Sequence, residues 1–204
     1  MGMGVAHNFF SSKIMSVINN AAISTHFISR SSLRSQTISK LVILPVRLTV
    51  IGIITENMSK SMGVDHKTHL QHPVIEFTSI SKRHIPEEMI LALNMLDIDT
   101  LERMKAIALR AYSLAQGYLL SGQIELCEMH LTFGHPPFQN DHITMAGDLS
   151  FARCSINNKI KGIELDRYER YKMREYYDVL QQLGVVAPKS STDNIYSILG
   201  PHHK

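Results

Sequence analysis

A segment of strict alternation, GQIELCEMHLTFG at residues 122–134, restricts the fold more than any other part of the chain. After Leu126 its polar residues are Glu128, His130 and Thr132, and every position between them is apolar. Period-two alternation predicts a strand with one buried and one polar face. Three polar groups on one face can reach a single ligand, although a solvated strand face is the simpler alternative. The apolar positions are Cys127, Met129, Leu131 and Phe133.

A long amphipathic segment, DTLERMKAIALRAYSLAQGYLL, leads directly into this strand. Asp99, with Glu102 three residues later, resembles a capping box, and Gly122 stands where a helix commonly ends. The sequence therefore predicts a helix over residues 100–120. Its apolar stripe consists of Leu101, Met104, Ile107, Ala108, Ala111, Leu114, Ala115 and Tyr118.

Two more helices are predicted at the ends of the chain. One covers residues 9–21, with Asn8 as its cap, and the other covers residues 164–183, with Gly184 after its end. Tyr168, Tyr176, Val179, Leu180 and Leu183 form the apolar face predicted for the second.

Strand patterns cluster between these helices. ISTHFISR and residues 74–81 predict short strands, and residues 40–55 predict two strands separated by Pro45, because proline cannot donate to a ladder. SKSMGVDHKTHLQHP is polar and turn-rich, and ITMAGDLSF predicts a further short strand. Clustered strands favour an α+β fold with an antiparallel sheet and flanking helices. We expect one domain over residues 1–187 and a C-terminal tail over 188–204.

The overall charge argues against two classes of partner. A net charge of +3, scattered along the chain, gives no reason to expect nucleic-acid binding. The most apolar run, 41–54, is too short to span a membrane. Two cysteines without a disulfide pattern favour a reducing compartment, so we expect a cytoplasmic protein. The absence of acidic residues before Glu56 leaves an organellar targeting segment as an alternative.

A carboxylate beyond the alternating segment extends the candidate site. If residues 122–134 and 143–151 form a hairpin, Asp148 can face Glu128 and His130. Two carboxylates and an imidazole suit a divalent cation that carries a phosphate group. The alternative is zinc, held by residues spaced C-x2-H-x4-H-x6-H, but the first two would point to opposite faces of a strand. The zinc-competent residues are Cys127, His130, His135 and His142.

Several segments match known motifs in order and spacing. GMGVAHNFFSSKIM resembles GKGxxNNxxSxxIF, AAISTHF resembles AGIPTHF, and KLVILPVRLTV matches KKLxMIPVEVVV. SKSMGV resembles AKRLGI, GQIELCEMHLTFG parallels GIILVDFKLEFG, and AGDLS resembles the turn GDExSPD. These are motifs of the SAICAR synthetase (phosphoribosylaminoimidazole-succinocarboxamide synthase) family, which the chain resembles nearly from end to end.

The resemblance implies an ATP-dependent ligase of de novo purine synthesis. ATP would activate the carboxylate of carboxyaminoimidazole ribonucleotide as an acyl phosphate, and the amine of aspartate would displace the phosphate. It implies ATP and magnesium as cofactors and a small-molecule nucleotide as substrate. A homo-oligomer is a further expectation. Carried over by position, Glu128 and His130 would bind the nucleotide, Asn8 and Lys60 the substrate, and Asp148 the metal.

Departures from the family motifs leave more than one hypothesis open. The family's Asp, Lys and Glu on the polar strand face become Glu128, His130 and Thr132, and threonine cannot replace a magnesium-binding carboxylate. The substrate loop RNxAAGS becomes IGIITEN, with Ile51 in place of arginine. The strands that open the family have no counterpart in this sequence. The chain is therefore either a ligase with an altered site or an inactive paralogue that keeps the fold for nucleotide binding or a structural role. An unrelated metal-binding module is the remaining alternative.

Overall fold

The computed structural model describes residues 2–81, 83–139, 141–166 and 172–187. The helices are α1 (Met3–Asn20), α2 (Glu56–Met62), α3 (Glu87–Ala92), α4 (Ile98–Leu120) and α5 (Met173–Gln182). The strands are β1 (Phe27–Arg30), β2 (Gln36–Ile38), β3 (Val42–Ile53), β4 (His69–Ser79), β5 (Ile124–His135), β6 (Thr144–Ala146), β7 (Cys154–Asn158) and β8 (Ile163–Leu165). The predicted tail at 188–204 and Tyr168 lie outside the described residues.

The described strands form one large sheet and one small one. The large sheet has the order β4-β3-β5-β7-β8, with β6 also paired to β5, and every ladder in it is antiparallel. β1 and β2 pair separately. Helix α4 packs on β3 and β5, and α1 packs on α4, α5 and β1. The predicted α+β fold with an antiparallel sheet is confirmed. No helix in the described part of the chain is both long and apolar enough to cross a membrane.

Strand β5 confirms the alternation predicted for it. Met129, Leu131 and Phe133 are fully buried in the core beneath the helices. The ladder with β7 shifts by one residue between Leu126 and Glu128, so Cys127 interrupts the strict alternation as a β-bulge does. The shift places Glu125 and Glu128 on the same face of β5, where they accept hydrogen bonds from Asn157 and Ser155 of β7.

The prediction of two strands around Pro45 is wrong, because β3 runs unbroken from Val42 to Ile53. Pairing with β5 is irregular between Ile43 and Arg47, so the missing N–H of Pro45 falls where the ladder is already interrupted. Its carbonyl accepts a hydrogen bond from Ile80 N at 3.3 Å. The proline is accommodated without ending the strand.

Both predicted terminal helices need correction. Residues 163–165 form β8 and pair with β7, so the described C-terminal helix covers only Met173–Gln182. At the other end, α1 begins at Met3, which places Asn8 inside the helix rather than at its cap. At residues 163–165, pairing with β7 outweighs the helical pattern. At the start of the chain, burial of one helix face extends α1.

The segment SKSMGVDHKTHLQHP, predicted to be turn-rich, contains the end of the short helix α2 and the start of β4. Thr55 caps α2 by accepting a hydrogen bond from Met58 N at 3.3 Å. Gly63 ends the helix in the left-handed conformation, with φ of 68°. A threonine cap and a glycine stop eight residues apart are the signals that could have predicted α2.

The cap of α4 is Asp97, two residues before the predicted Asp99. The Asp97 carboxylate accepts from Thr100 N at 2.7 Å and from the Thr100 hydroxyl at 2.9 Å, and these bonds lower its pKa below the ordinary value. We expect Asp97→Ala to lower Tm by about 2–4 °C in a thermal melt. Asp99→Ala removes only a charge near the helix start and should lower Tm less. A larger loss for Asp99→Ala would contradict the assignment.

Candidate functional site

The polar faces of β3 and β5 meet at the centre of the large sheet. Arg47 pairs directly with Thr132, and Thr49 pairs directly with His130. Directly opposed residues of antiparallel strands point to the same side of the sheet. The opposite side carries the buried apolar residues under α4. The sheet therefore presents a polar surface that includes two of the predicted site residues, Glu128 and His130.

Glu128 is held in one orientation although it is almost entirely buried. Only 3% of the residue is exposed. Ser155, its neighbour on β7, donates its hydroxyl to Glu128 Oε1 at 2.8 Å. A buried carboxylate needs such donors, because an unsatisfied charge would be costly. Glu128 can thus offer a fixed acceptor at this end of the polar surface.

His130 is half-buried and lies against β3. Thr49 Oγ1 is 3.0 Å from His130 Nδ1, within hydrogen-bond distance. The His130 backbone N–H donates to Arg153 O at 2.8 Å. The threonine limits rotation of the imidazole, so the ring is positioned by a strand that is distant in the sequence.

The predicted hairpin between β5 and β6 is present and places Asp148 just beyond β6. Gly147 precedes it with φ of 78°. The Asp148 side chain is 54% exposed, accepts a hydrogen bond from the Ser150 hydroxyl, and lies 3.6 Å from Arg153 Nε. Its carboxylate is therefore directed to partners in the segment that follows it.

Two histidines also lie near the Asp148 carboxylate. Burial lowers the pKa of His7 and of His26, and the negative charge of Asp148 partly opposes that effect for both. His7 packs its ring edge against Phe151 and Tyr176, at centroid distances of 5.9 and 5.6 Å. At neutral pH the two rings are predominantly uncharged, so Arg153 is the cation that Asp148 contacts.

Metal binding by the described side chains is not supported by their arrangement. No group of three or more His, Cys, Asp or Glu side chains converges as a metal site would require, within the residues that the structure describes. Burial also raises the pKa of the Cys127 thiol, which favours the protonated form that binds zinc poorly.

Lys60 lies at a separate cleft between α2 and β8. The cleft has a volume of about 480 Å³. Lys60 Nζ pairs with Glu56 Oε1 at 2.7 Å, and His66 Nε2 lies 2.6 Å from Glu164 Oε2. Three lysines and three carboxylates line this cleft, so its charges balance. Its polar lining includes Glu56, Lys60, His66, Lys67, Glu164, Asp166 and Lys172.

Asn8 does not line the Lys60 cleft. It is buried in α1, where its Nδ2 donates to Ser32 O at 3.1 Å. Its main-chain carbonyl accepts from Gln36 Nε2 at 3.3 Å. These bonds attach the β1–β2 hairpin to α1, so the structure does not bring the two predicted substrate residues together.

Arg47, Thr49 and Ser155 belong to the polar surface but were not selected from the sequence. A signal for the first two was present, because Arg47 and Thr49 alternate with apolar Val46, Leu48 and Val50. The prediction of a break at Pro45 conceals the alternation of polar and apolar residues along β3.

Comparisons with known proteins agree on one family. A sequence model of the SAICAR synthetase family matches residues 2–159. The phosphoribosylaminoimidazole-succinocarboxamide synthase of Neorickettsia sennetsu is 27% identical over 194 residues, which cover 91% of this chain and 80% of that protein.

Solved structures show the same likeness in three dimensions. The phosphoribosylaminoimidazole-succinocarboxamide synthase of Ehrlichia chaffeensis superposes with a TM-score of 0.80 at 25% identity, over 91% of this chain and 82% of that one. A SAICAR synthetase in complex with ADP has a TM-score of 0.80 at 20% identity, over 92% of this chain and 83% of that one, and this is a likeness of fold.

Proposed function

The chain belongs to the SAICAR synthetase family of purine biosynthesis, and from this premise we propose that it is an ATP-dependent ligase that joins aspartate to carboxyaminoimidazole ribonucleotide. The observation that carries the proposal is the extent of the family match. Residues 2–159 include α1 and every strand from β1 to β7, so the whole polar surface lies within the matched region.

The proposed reaction has two displacements. An oxygen of the substrate carboxylate attacks the γ-phosphorus of ATP, and ADP leaves. The amine of aspartate then attacks the acyl carbon, inorganic phosphate leaves and the amine loses a proton. Such chemistry depends chiefly on holding the reactants in line and on stabilising the charge of the phosphoryl group.

The residues in the proposal have distinct roles. Glu128, fixed by Ser155, and His130, oriented by Thr49, would contact the nucleotide on the polar surface. Lys60 would contact the substrate in its cleft. Lys60 and Asn8 as substrate ligands stay predictions, as do a cytoplasmic location and a homo-oligomer.

Magnesium, which the family resemblance implies, does not fit the described donor set. Asp148 is engaged by Ser150 and Arg153, and Glu128 by Ser155. Thr132 offers no carboxylate, and Arg47 stands directly opposite it. A hard cation prefers several converging oxygen ligands. We therefore assign no step to a metal, and Asp148 as a metal ligand stays a prediction.

A second candidate function is that of a nucleotide-binding paralogue without ligase chemistry. Ile51 favours it, because this residue replaces the arginine of the family's substrate loop and is only 4% exposed. Its neighbours Ile53 and Ile54 are equally buried. An apolar segment packed into the fold cannot attract an anionic substrate at that position.

The test is turnover by purified protein with ATP, aspartate and carboxyaminoimidazole ribonucleotide. For a ligase we expect product that depends on all three substrates. Asp148→Asn should lower kcat at least about 100-fold, because it disturbs the turn beside the polar surface. Asp141→Asn, which removes an exposed carboxylate on the neighbouring loop, is the matched control and should keep full turnover.

Nucleotide binding, measured by calorimetry on the same preparations, separates the two candidates. Binding of ATP without any turnover would support the inactive paralogue and contradict the ligase. Absence of both binding and turnover would contradict both functions, and Asp148-dependent turnover would contradict the paralogue.

A further inference from the structure

Arg47 stands at the centre of the polar surface, and its Nε donor has no acceptor among the described residues. It lies on β3 between Thr78 of β4 and Thr132 of β5, and both are its direct cross-strand partners. Its Nε is buried and forms no hydrogen bond with the described residues. An unsatisfied buried donor is energetically unfavourable, so the position favours occupation by an acceptor.

The immediate neighbours of Arg47 are donors rather than acids. Thr78 and Thr132 flank it, and Thr49, two residues further along β3, lies against His130. Directly opposed side chains have Cβ atoms about 4.5–5.5 Å apart, so the hydroxyls and the guanidinium can contact one group. This set of donors suits an anion.

Glu76 and Glu128 are carboxylates of this surface near the strand centre, and neither pairs with Arg47 in the described part of the chain. Glu76 is exposed on β4 and pairs across the ladder with Thr49. Glu128 accepts the Ser155 hydroxyl. The guanidinium is therefore the local charge that remains available for a ligand at the centre of the surface.

Arg47 and its partner on β5 both differ from the residues of the family motifs. KKLxMIPVEVVV carries glutamate where this chain has Arg47, and GIILVDFKLEFG carries glutamate where it has Thr132. These positions are directly opposed. Two facing carboxylates suit a divalent cation, whereas arginine facing threonine suits a phosphate oxygen. The two substitutions thus replace two facing carboxylates by an arginine and a threonine, a pair that suits an anion.

We propose that Arg47 binds a phosphate group of the nucleotide directly, so that nucleoside di- and triphosphates bind to this chain without a divalent cation. The inference rests on the nucleotide binding proposed above. The planar guanidinium can donate two parallel hydrogen bonds to one phosphate, with the threonine hydroxyls as additional donors. The positive charge that a metal would supply then comes from the protein.

The test is calorimetric titration of ATP into the protein in EDTA and in excess magnesium. We expect the Kd in EDTA to lie within about threefold of the Kd in magnesium. Arg47→Gln should weaken ATP binding in EDTA at least about tenfold, which is the loss of one charge-assisted bond. Arg110→Gln, on the exposed side of α4, is the matched control and should bind as the parent does.

Thermal melts distinguish a ligand-binding role from a structural one. Because its Nε has no partner among the described residues, Arg47→Gln should leave Tm unchanged or raise it, whereas loss of a structural contact would lower it. Arg47→Lys keeps the charge without the planar fork and should bind ATP with intermediate affinity. The double variant Arg47→Glu, Thr132→Glu should make ATP binding dependent on magnesium.

Inorganic pyrophosphate, titrated in EDTA, separates this inference from the proposed function. Binding of both pyrophosphate and ATP in EDTA that requires Arg47, together with no turnover, would support the inference and contradict the ligase. ATP binding that requires magnesium and is unaffected by Arg47→Gln would overturn the inference and leave the ligase standing. Absence of binding by both ligands would overturn both.

Discussion

Phe151→Ala is expected to lower the free energy of unfolding by about 3–5 kcal/mol, the largest effect of any substitution considered for this chain. The ring is 1% exposed and stacks between Phe10 and Tyr176, with centroids 4.2 and 4.3 Å away. It joins α1, α5 and the segment after Asp148. Truncation would leave a cavity that three separate elements would have to close.

Urea denaturation followed by circular dichroism measures this effect. The matched control is Phe138→Ala, because the same side chain is fully exposed there and its loss should change stability by less than about 0.5 kcal/mol. Phe151→Leu should recover much of the loss by refilling the site. Equal effects at positions 151 and 138 would contradict the packing described for Phe151.

Gly52→Ala is expected to destabilise the protein by about 2–4 kcal/mol, through overpacking and loss of one hydrogen bond. A Cβ on Gly52 would lie 2.1 Å from Tyr112 Oη and 2.9 Å from Cζ. Tyr112 is buried and donates its hydroxyl to Leu126 O at 2.6 Å. The added methyl group would displace the tyrosine and break that bond.

A double-mutant cycle with Tyr112→Phe identifies the cause. Removing the hydroxyl eliminates the shortest contact, so Gly52→Ala should cost at least about 1 kcal/mol less in the Tyr112→Phe background than in the parent. Chemical denaturation of the four proteins gives the coupling. Additive losses would show that the alanine acts through the backbone of β3 instead.

Local sequence patterns are sufficient to predict β5 and α4. The alternation in β5 and the apolar stripe of α4 both persist because each has one face against the core. Pairing between distant segments was not predictable in this way. Residues 163–165 have a sequence compatible with a helix, and only the neighbouring β7 makes them a strand.

The same distinction between local patterns and pairing of distant segments applies to the candidate site. A shared face for Glu128 and His130 follows from their spacing on one strand. The opposition of Arg47 and Thr132 depends on the register between β3 and β5, which periodicity within either strand does not specify. The partners of Asp148 depend on a turn with positive φ at Gly147, and sequence patterns alone did not reveal them.

The order of the large sheet also affects how two copies of the chain could meet. β4 is one of its two outer strands in the described part of the chain, the other being β8, so one row of β4 backbone groups faces away from β3. Pro73 removes a donor from β4, and the rings of His69 and His72 project from exposed positions on it. Prolines and ionisable side chains on an outer strand discourage another chain from extending the sheet. A second copy of the chain is therefore not expected to extend the sheet through β4.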